Sequence, residues 1–219
     1  MTSRPRVKIC GLRDAATIQA MEGLPFHELG FVFAPSKRQV TAEQAAVLIE
    51  TAGRMKTAEG AAPVTVGVFV NTTLEELRDV LATAPLDVVQ LHGEESPELS
   101  RSIREGLGVK VWKAFPALAT AEGSKRLAAY AGAVDAVLVD TAGGGTGQTF
   151  DWKQVAAYEQ AAAAIGVPLY IAGGLHPGNV GELLSDASPA GIDVSSGVEK
   201  DGVKDISKIT MFLRKVLEA

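Results

Sequence analysis

The sequence predicts a closed (β/α)8 barrel of the TIM type, of the phosphate-binding kind, built as one domain over residues 1–219. Two observations carry that expectation. Eight short β-branched runs, at 7–10, 29–33, 64–70, 87–92, 109–115, 134–140, 168–172 and 192–195, are separated by longer stretches rich in Ala, Leu and Glu. Several of those stretches also carry a helical stripe and a start signal, so a helix follows a strand and a crossover returns the chain parallel to itself.

The alternation of side chains along the strands places the chemistry. Side chains two apart share a face. Val7/Ile9, Leu29/Phe31/Phe33, Val66/Val68/Val70, Val89/Leu91, Val137/Val139, Leu169/Ile171 and Ile192/Val194 form apolar rows expected to face the outer helices. The opposite rows then point into the barrel, and they contain Lys8 and Cys10, Gln90 and His92, Leu138 and Asp140, and Asp193 and Ser195. Barrel interiors are filled mostly by branched aliphatics, so ionisable groups collected at the C-terminal ends of strands point to a polar site on the catalytic face.

The helices follow from the stripes Ala45/Leu48/Ile49/Ala52, Leu77/Val80/Leu81/Ala84, Val180/Leu183/Leu184/Ala187 and Ile209/Phe212/Leu213/Val216, each spaced i, i+3, i+4, i+7. Thr41-x-x-Gln44 and Thr73-x-x-Glu76 read as capping boxes, and Ser96-Pro97 as a cap before a first-turn proline. An open doubly wound sheet is the competing architecture. The first strand-to-helix turn, Cys10-Gly-Leu-Arg13, lacks the glycine fingerprint of a dinucleotide site.

Composition bounds the rest. The 219 residues are 47% hydrophobic and 21% charged, enough to bury a sizeable core, and 26 acidic against 21 basic residues give a net charge of −5. Lys and Arg are scattered, so a nucleic-acid partner is not expected. A single cysteine and three dispersed histidines supply neither a disulfide framework nor a metal motif. No apolar leader precedes Arg13 and no uncharged run reaches spanning length, so the expected protein is cytoplasmic, without a membrane partner.

Ala172-Gly-Gly-Leu175 follows the seventh run, and Ser195-Ser-Gly-Val198 follows the eighth. Glycines often serve only to permit a tight turn, but small residues at both of these places expose backbone amides where such barrels hold a phosphate. Gly173, Gly174, Ser196 and Gly197 are the candidate cradle. A lone cysteine is most often an inert core residue. Cys10, however, ends the first strand with Lys8 on the same face, where an ammonium would favour the thiolate. Asp140 ends the sixth strand, where desolvation would raise its pKa and suit a general acid if it does not simply cap the next turn. His92 is either a structural histidine or a substrate contact. Arg38, in the second loop, would make a bidentate contact with a substrate carboxylate if it reaches the mouth rather than solvent. Gly143-Gly-Gly-Thr-Gly147 reads as a mobile cover.

These motifs, in this order, resemble the phosphoribosylanthranilate isomerases. The resemblance is carried by Lys8-Ile-Cys-Gly11, Gly30-Phe-Val-Phe33 with Ser36-Lys-Arg38, Val66-Gly-Val-Phe69, Val89-Gln-Leu-His-Gly93, Trp112-Lys-Ala-Phe115, Asp140-Thr with Gly144-Gly-Thr-Gly147 and Phe150-Asp-Trp152, Ala172-Gly-Gly-Leu175, and Asp193-Val-Ser-Ser-Gly-Val-Glu199 with Gly202-Val-Lys-Asp205. It implies an Amadori rearrangement of N-(5-phosphoribosyl)anthranilate in tryptophan biosynthesis, with no metal and no organic cofactor; whether the chain is a monomer or homodimer the sequence leaves open. On the matching positions, Cys10 is the general base and Asp140 the general acid. Arg38 lies near the anthranilate carboxylate, His92 and Asp193 line the site, and Gly173, Gly174, Ser196 and Gly197 hold the phosphate. A phosphosugar lyase or synthase of like fold would be expected to use a Lys/Glu pair or metal-binding histidines, and a non-catalytic phosphometabolite-binding module would need neither acid nor base.

Overall fold

The structure is a computed structural model that describes residues 4–118, 121–141 and 155–219. Eight parallel strands close into a barrel in sequential order: β1 (Arg6–Cys10), β2 (Glu28–Val32), β3 (Val64–Phe69), β4 (Val88–Leu91), β5 (Lys110–Ala117), β6 (Ala136–Thr141), β7 (Leu169–Ile171) and β8 (Gly191–Val194), with β8 pairing back to β1. The helices are α1 (Ala15–Ala20), α2 (Ala42–Arg54), α3 (Leu74–Thr83), α4 (Pro97–Leu107), α5 (Ala121–Lys125), α6 (Val155–Ala164), α7 (Val180–Asp186) and α8 (Ile206–Glu218). Each lies between successive strands or, for α8, after the last.

The start signals form as the sequence specifies. The Thr41 and Thr73 side chains accept from the Gln44 and Glu76 amides, and the Gln44 and Glu76 side chains accept from the cap amides in return. Ser96 accepts from the Leu99 amide ahead of α4. Each such cap is worth about 1 kcal/mol to its helix. The α8 stripe Ile209, Phe212, Leu213 and Val216 is buried against the barrel.

Two hydrophobic layers result. The outer one, between strands and helices, takes Val7, Ile9, Leu29, Phe31, Val89, Leu91, Val137, Val139, Leu169, Ile171, Ile192 and Val194 as their alternation requires. The inner one fills the barrel with Val66, Val88, Trp112, Ala114, Ala136, Leu138, Tyr170 and Ala172, the Trp112 and Tyr170 rings lying 4.4 Å apart. The expected row Val66/Val68/Val70 is therefore turned around: Val66 belongs to the inner layer, and Val68 and Val70 line the cavity at the barrel mouth. The opposite row, Thr65, Gly67 and Phe69, carries no charged group, so a period of two does not orient this strand. Packing decides, because Phe69 stacks outside on Phe33 at 4.7 Å, and the barrel interior prefers the branched valines.

A small antiparallel ribbon, β9 (Glu199–Lys200) with β10 (Val203–Lys204), lies between β8 and α8 and was not expected from periodicity. Among the described residues, no helix is long and apolar enough to cross a membrane.

Candidate active site

The C-terminal ends of the strands surround a cavity of about 330 Å³ lined by Cys10, Arg38, Gln90, His92, Asp140, Gly173, Gly174, Asp193, Ser195 and Ser196. Most of the sequence-predicted site residues therefore meet in one place. The exception among the predicted polar inner row is Lys8, which lies fully buried one step deeper on β1. The glycine-rich segment 143–147, expected to cover the mouth, lies outside the described residues.

Cys10 ends β1 with its side chain almost wholly enclosed. Lys8 Nζ sits 3.1 Å from Asp193 Oδ1, in register across the β1–β8 ladder. Burial opposes the Lys8 charge, yet Asp193, with Cys10, holds the ammonium above its ordinary pKa. The expected activation of the thiol does not follow. Burial raises the Cys10 pKa above its ordinary value despite the pull of Lys8 and Lys204, because the Lys8 charge is shared with Asp193 and its carboxylate disfavours a thiolate. The resting group is a thiol.

Across the mouth, Asp140 Oδ2 is 3.5 Å from His92 Nε2. Gln90 Nε2 lies 3.1 Å from the other ring nitrogen, Nδ1, so the ring is held between the amide and the carboxylate. Among the described residues, the second oxygen, Asp140 Oδ1, is buried without a hydrogen-bond partner. The loop after β4 is fixed from behind. Lys113 Nζ binds the Gly93 carbonyl at 2.6 Å and Glu95 Oε2 at 3.1 Å, while Glu95 accepts from the Gly93 and Asn71 amides. Desolvation lowers the Lys113 pKa, and Glu95 opposes that fall.

The β7 and β8 turns pack against each other. Gly173 and Gly174 have φ of 95° and 64°, backbone that few side-chain-bearing residues adopt. A Cβ on Gly197 would collide with the Leu175 carbonyl oxygen, so only glycine lets the two turns touch. Asn179 secures the first turn by donating to the Gly174 carbonyl at 3.0 Å and accepting from the His176 amide. The amides of Gly173, Gly174, Ser196 and Gly197 donate no hydrogen bond to another described residue. Gly173, Gly174 and Ser196 line the cavity, and unspent amides there are what an anion requires, whereas Gly197 is not among the lining residues and packs against Leu175 and His176.

Arg38 reaches the mouth but not as a free group. Its Nε and Nη2 donate to the two oxygens of Glu199 at 2.7 and 2.9 Å, and Lys204 Nζ donates to Glu199 Oε1 at 2.6 Å. Burial works against ionisation of Glu199, but hydrogen bonds from Arg38 and Lys204 hold its carboxyl at about 2. Lys204 also reaches the Ser195 carbonyl at 3.0 Å, and Ser195 Oγ donates to the Cys10 carbonyl at 3.0 Å. Val32, Ala34, Pro35, Val68 and Val70 give the same side of the cavity an apolar wall.

Periodicity alone left out the contributions of Gly30, Lys113, Glu199 and Lys204. A glycine inside a strand signals close approach, and here a Cβ at Gly30 would press on Cys10. Charged residues in the β5 strand and after β8 were signals too, but Lys113 pairs with Glu95 18 positions away and Glu199 with Arg38 161 positions away, while Lys204 meets Glu199 across the ribbon that periodicity did not show. Among the described residues, no group of three or more His, Cys, Asp or Glu is arranged to hold a metal ion.

The profile of a family described as N-(5'phosphoribosyl)anthranilate (PRA) isomerase matches residues 7–215. An N-(5'-phosphoribosyl)anthranilate isomerase of Brevibacillus brevis is 44% identical over 215 residues, covering 96% of this chain and 93% of the relative. Among solved structures, that of the dimeric phosphoribosylanthranilate isomerase of Thermotoga maritima, in its monomeric form, superimposes with a TM-score of 0.81 at 34% identity, over 98% of this chain and 100% of the other. A phosphoribosylanthranilate isomerase in complex with reduced 1-(o-carboxyphenylamino)-1-deoxyribulose 5-phosphate gives 0.80 at 32% identity, over 98% and 100% of the two chains. A barrel with eight parallel strands, a cavity at their C-terminal ends and a match along almost the full sequence lead to one conclusion: this chain belongs to the N-(5'-phosphoribosyl)anthranilate isomerase family.

Proposed function

We propose that Cys10 is the general base and Asp140 the general acid of the isomerisation that this family performs. The chain is an isomerase of tryptophan biosynthesis. What remains to be assigned is which side chain does what.

The observation that carries the assignment is the placement of a thiol and a carboxyl in one cavity, on β1 and β6, while the other titratable groups lining it are engaged with neighbours, His92 with Gln90 and Asp140, and Asp193 with Lys8. Asp140 protonates the furanose ring oxygen, the C1–O bond breaks, and the anilino nitrogen supplies its lone pair to form an iminium ion. The cation at C1 acidifies the adjacent C2–H. It also favours a thiolate beside it, which a buried thiol with a raised pKa needs before it acts as a base. Cys10 takes the C2 proton to give an enolamine, and tautomerisation gives the ketone. Each general acid or base step of this kind contributes about 10² to 10⁴ in rate.

Binding follows the same division of the cavity. The phosphate lies on the amides of Gly173, Gly174 and Ser196, with that of Gly197 next to them in the chain. The aryl ring rests on Val32, Val68 and Val70, with its carboxylate toward Arg38. His92 and Asp193 line the space between. His92 touches Asp140, and Asp193 holds Lys8 beneath Cys10.

The chemistry needs proton transfer alone, so no metal or organic cofactor enters the proposal. The enzyme acts in the cytoplasm as one domain, a monomer or homodimer, on a phosphorylated small molecule and not on nucleic acid or membrane. A fluorescence assay with purified protein, following loss of N-(5'-phosphoribosyl)anthranilate, tests it. Consumption of substrate without added metal is expected, and a folded, inactive protein would overturn the reading.

A further inference from the structure

We propose that Glu199 is a positioning residue of this site: its carboxylate fixes the Arg38 guanidinium with one edge turned to the cavity, and so sets affinity for the substrate's carboxylate without touching it. The inference rests on the reading of Arg38 given above.

A guanidinium presents two bidentate edges, Nε with one Nη and the two Nη together. Glu199 occupies the first, through Nε and Nη2 at 2.7 and 2.9 Å. Only the other edge is left for a second carboxylate. The pair is not a loose surface contact, since the Arg38 and Glu199 side chains are 16% and 6% exposed. Glu199 is itself immobilised twice, by Lys204 Nζ at 2.6 Å on its side chain and by Lys208 Nζ at 2.6 Å on its carbonyl. The loop that carries Arg38 is tied to the same ribbon, because Arg13 donates to the carbonyls of Lys37 and Gly202.

The position of Glu199 in the chain adds a second consequence. It directly follows the short 3-10 turn Ser196–Val198, which presents two of the proposed phosphate amides. One rigid segment thus holds both the arginine and half of the phosphate cradle, and fixes the spacing between the two anionic ends of a substrate.

An acidic residue beside an anion-binding arginine opposes anion binding by simple Coulomb attraction and repulsion. Its presence here trades local positive potential for a fixed orientation of a long, flexible side chain. That trade gives the test its sign. A purely electrostatic Glu199 predicts tighter anion binding when its charge is removed. A positioning Glu199 predicts weaker binding, and only for the ligand that carries the aryl carboxylate.

The experiment measures inhibition of Glu199→Gln, Glu199→Asp, Arg38→Ala and wild type by two probes. One is reduced 1-(o-carboxyphenylamino)-1-deoxyribulose 5-phosphate and the other is inorganic phosphate. Thermal unfolding and the separate kcat and KM for substrate accompany it. Both Glu199 variants are expected to bind the carboxylate-bearing probe about tenfold or more weakly, the scale of a lost charged hydrogen bond, and to raise KM more than they lower kcat. Inhibition by phosphate should be no weaker than in wild type. Glu199→Asp keeps the charge beside Lys204 but is one methylene too short for the fork, so it also carries the test if Glu199→Gln folds poorly. Unchanged or tighter binding of the carboxylate-bearing probe in both variants, or equal weakening of both probes, would overturn the proposal. If Arg38→Ala leaves that probe's affinity unchanged, the reading of Arg38 fails first. If Arg38→Ala weakens it and neither Glu199 variant does, the positioning role alone fails.

Discussion

Gly30 on β2 stands level with Cys10 on β1 in the parallel ladder, and a Cβ at Gly30 would lie 2.7 Å from the Cys10 sulfur. The thiol therefore occupies space that only a glycine neighbour leaves. Gly30→Ala must push the sulfur or spread two adjacent barrel strands. Displacement of a reacting group by even 1 Å costs about 10²-fold in rate. We expect kcat of Gly30→Ala to fall by about tenfold or more while phosphate still inhibits with wild-type strength. Steady-state kinetics with phosphate as inhibitor checks both.

The Cys10 thiol, raised by burial, should resist alkylation at neutral pH. The rate of reaction with iodoacetamide should climb with pH and show no plateau below pH 9. Saturating phosphate should slow it by closing the mouth. A plateau near pH 7 would mean a preformed thiolate, and the resting state described above would be wrong.

The phosphate cradle requires the amides of the β7 turn in a backbone conformation that Gly174 adopts at φ of 64°. In Gly174→Val the side chain and the altered turn should together weaken phosphate inhibition by at least about tenfold, because the amide nest no longer fits the anion. The barrel should stay folded, as Gly174 itself belongs to neither hydrophobic layer, although Ala172 and Leu175 on either side of the glycine pair do. Inhibition constants and a thermal unfolding curve read the two outcomes.

Glu199 gives a pH signature of stability. Its carboxyl is held at about 2 in the fold against an ordinary value of 4.5, so it binds fewer protons folded than unfolded. The stabilisation it contributes is complete above the ordinary value and disappears as pH falls from 4.5 toward 2. Unfolding free energy of Glu199→Gln should accordingly depend less steeply on pH across that window than that of wild type. Parallel slopes in urea titrations at several pH values would contradict the ion-pair geometry.

The barrel was legible because its signals are local. Strand alternation, capping boxes and helical stripes each lie within a dozen residues, and the structure realises Thr41 with Gln44, Thr73 with Glu76 and the whole α8 stripe. The β3 strand is ambiguous for a physical reason, since valines alternate with Thr65, Gly67 and Phe69 and neither row carries a charge. At the site, residues at strand ends could be placed by counting, so Cys10, His92, Asp140 and Asp193 meet as expected. What counting could not supply was the partner of each charge. That Lys8 spends itself on Asp193, and Arg38 on Glu199, follows from closure of the barrel, which joins residues 185 and 161 positions apart. Burial, together with that pairing, is why the Cys10 pKa is raised rather than lowered by its neighbour.

The measurement that bears most directly on the division of labour is the turnover number of Cys10→Ala and of Asp140→Asn with N-(5'-phosphoribosyl)anthranilate, on proteins whose thermal unfolding matches wild type. Asn keeps the shape of Asp140 and removes its proton, and Ala removes the only thiol. If Cys10 takes the C2 proton and Asp140 supplies the ring-oxygen proton, each substitution lowers kcat by at least about 10²-fold with a much smaller change in KM. A folded variant of either kind that retains near wild-type kcat would contradict that role.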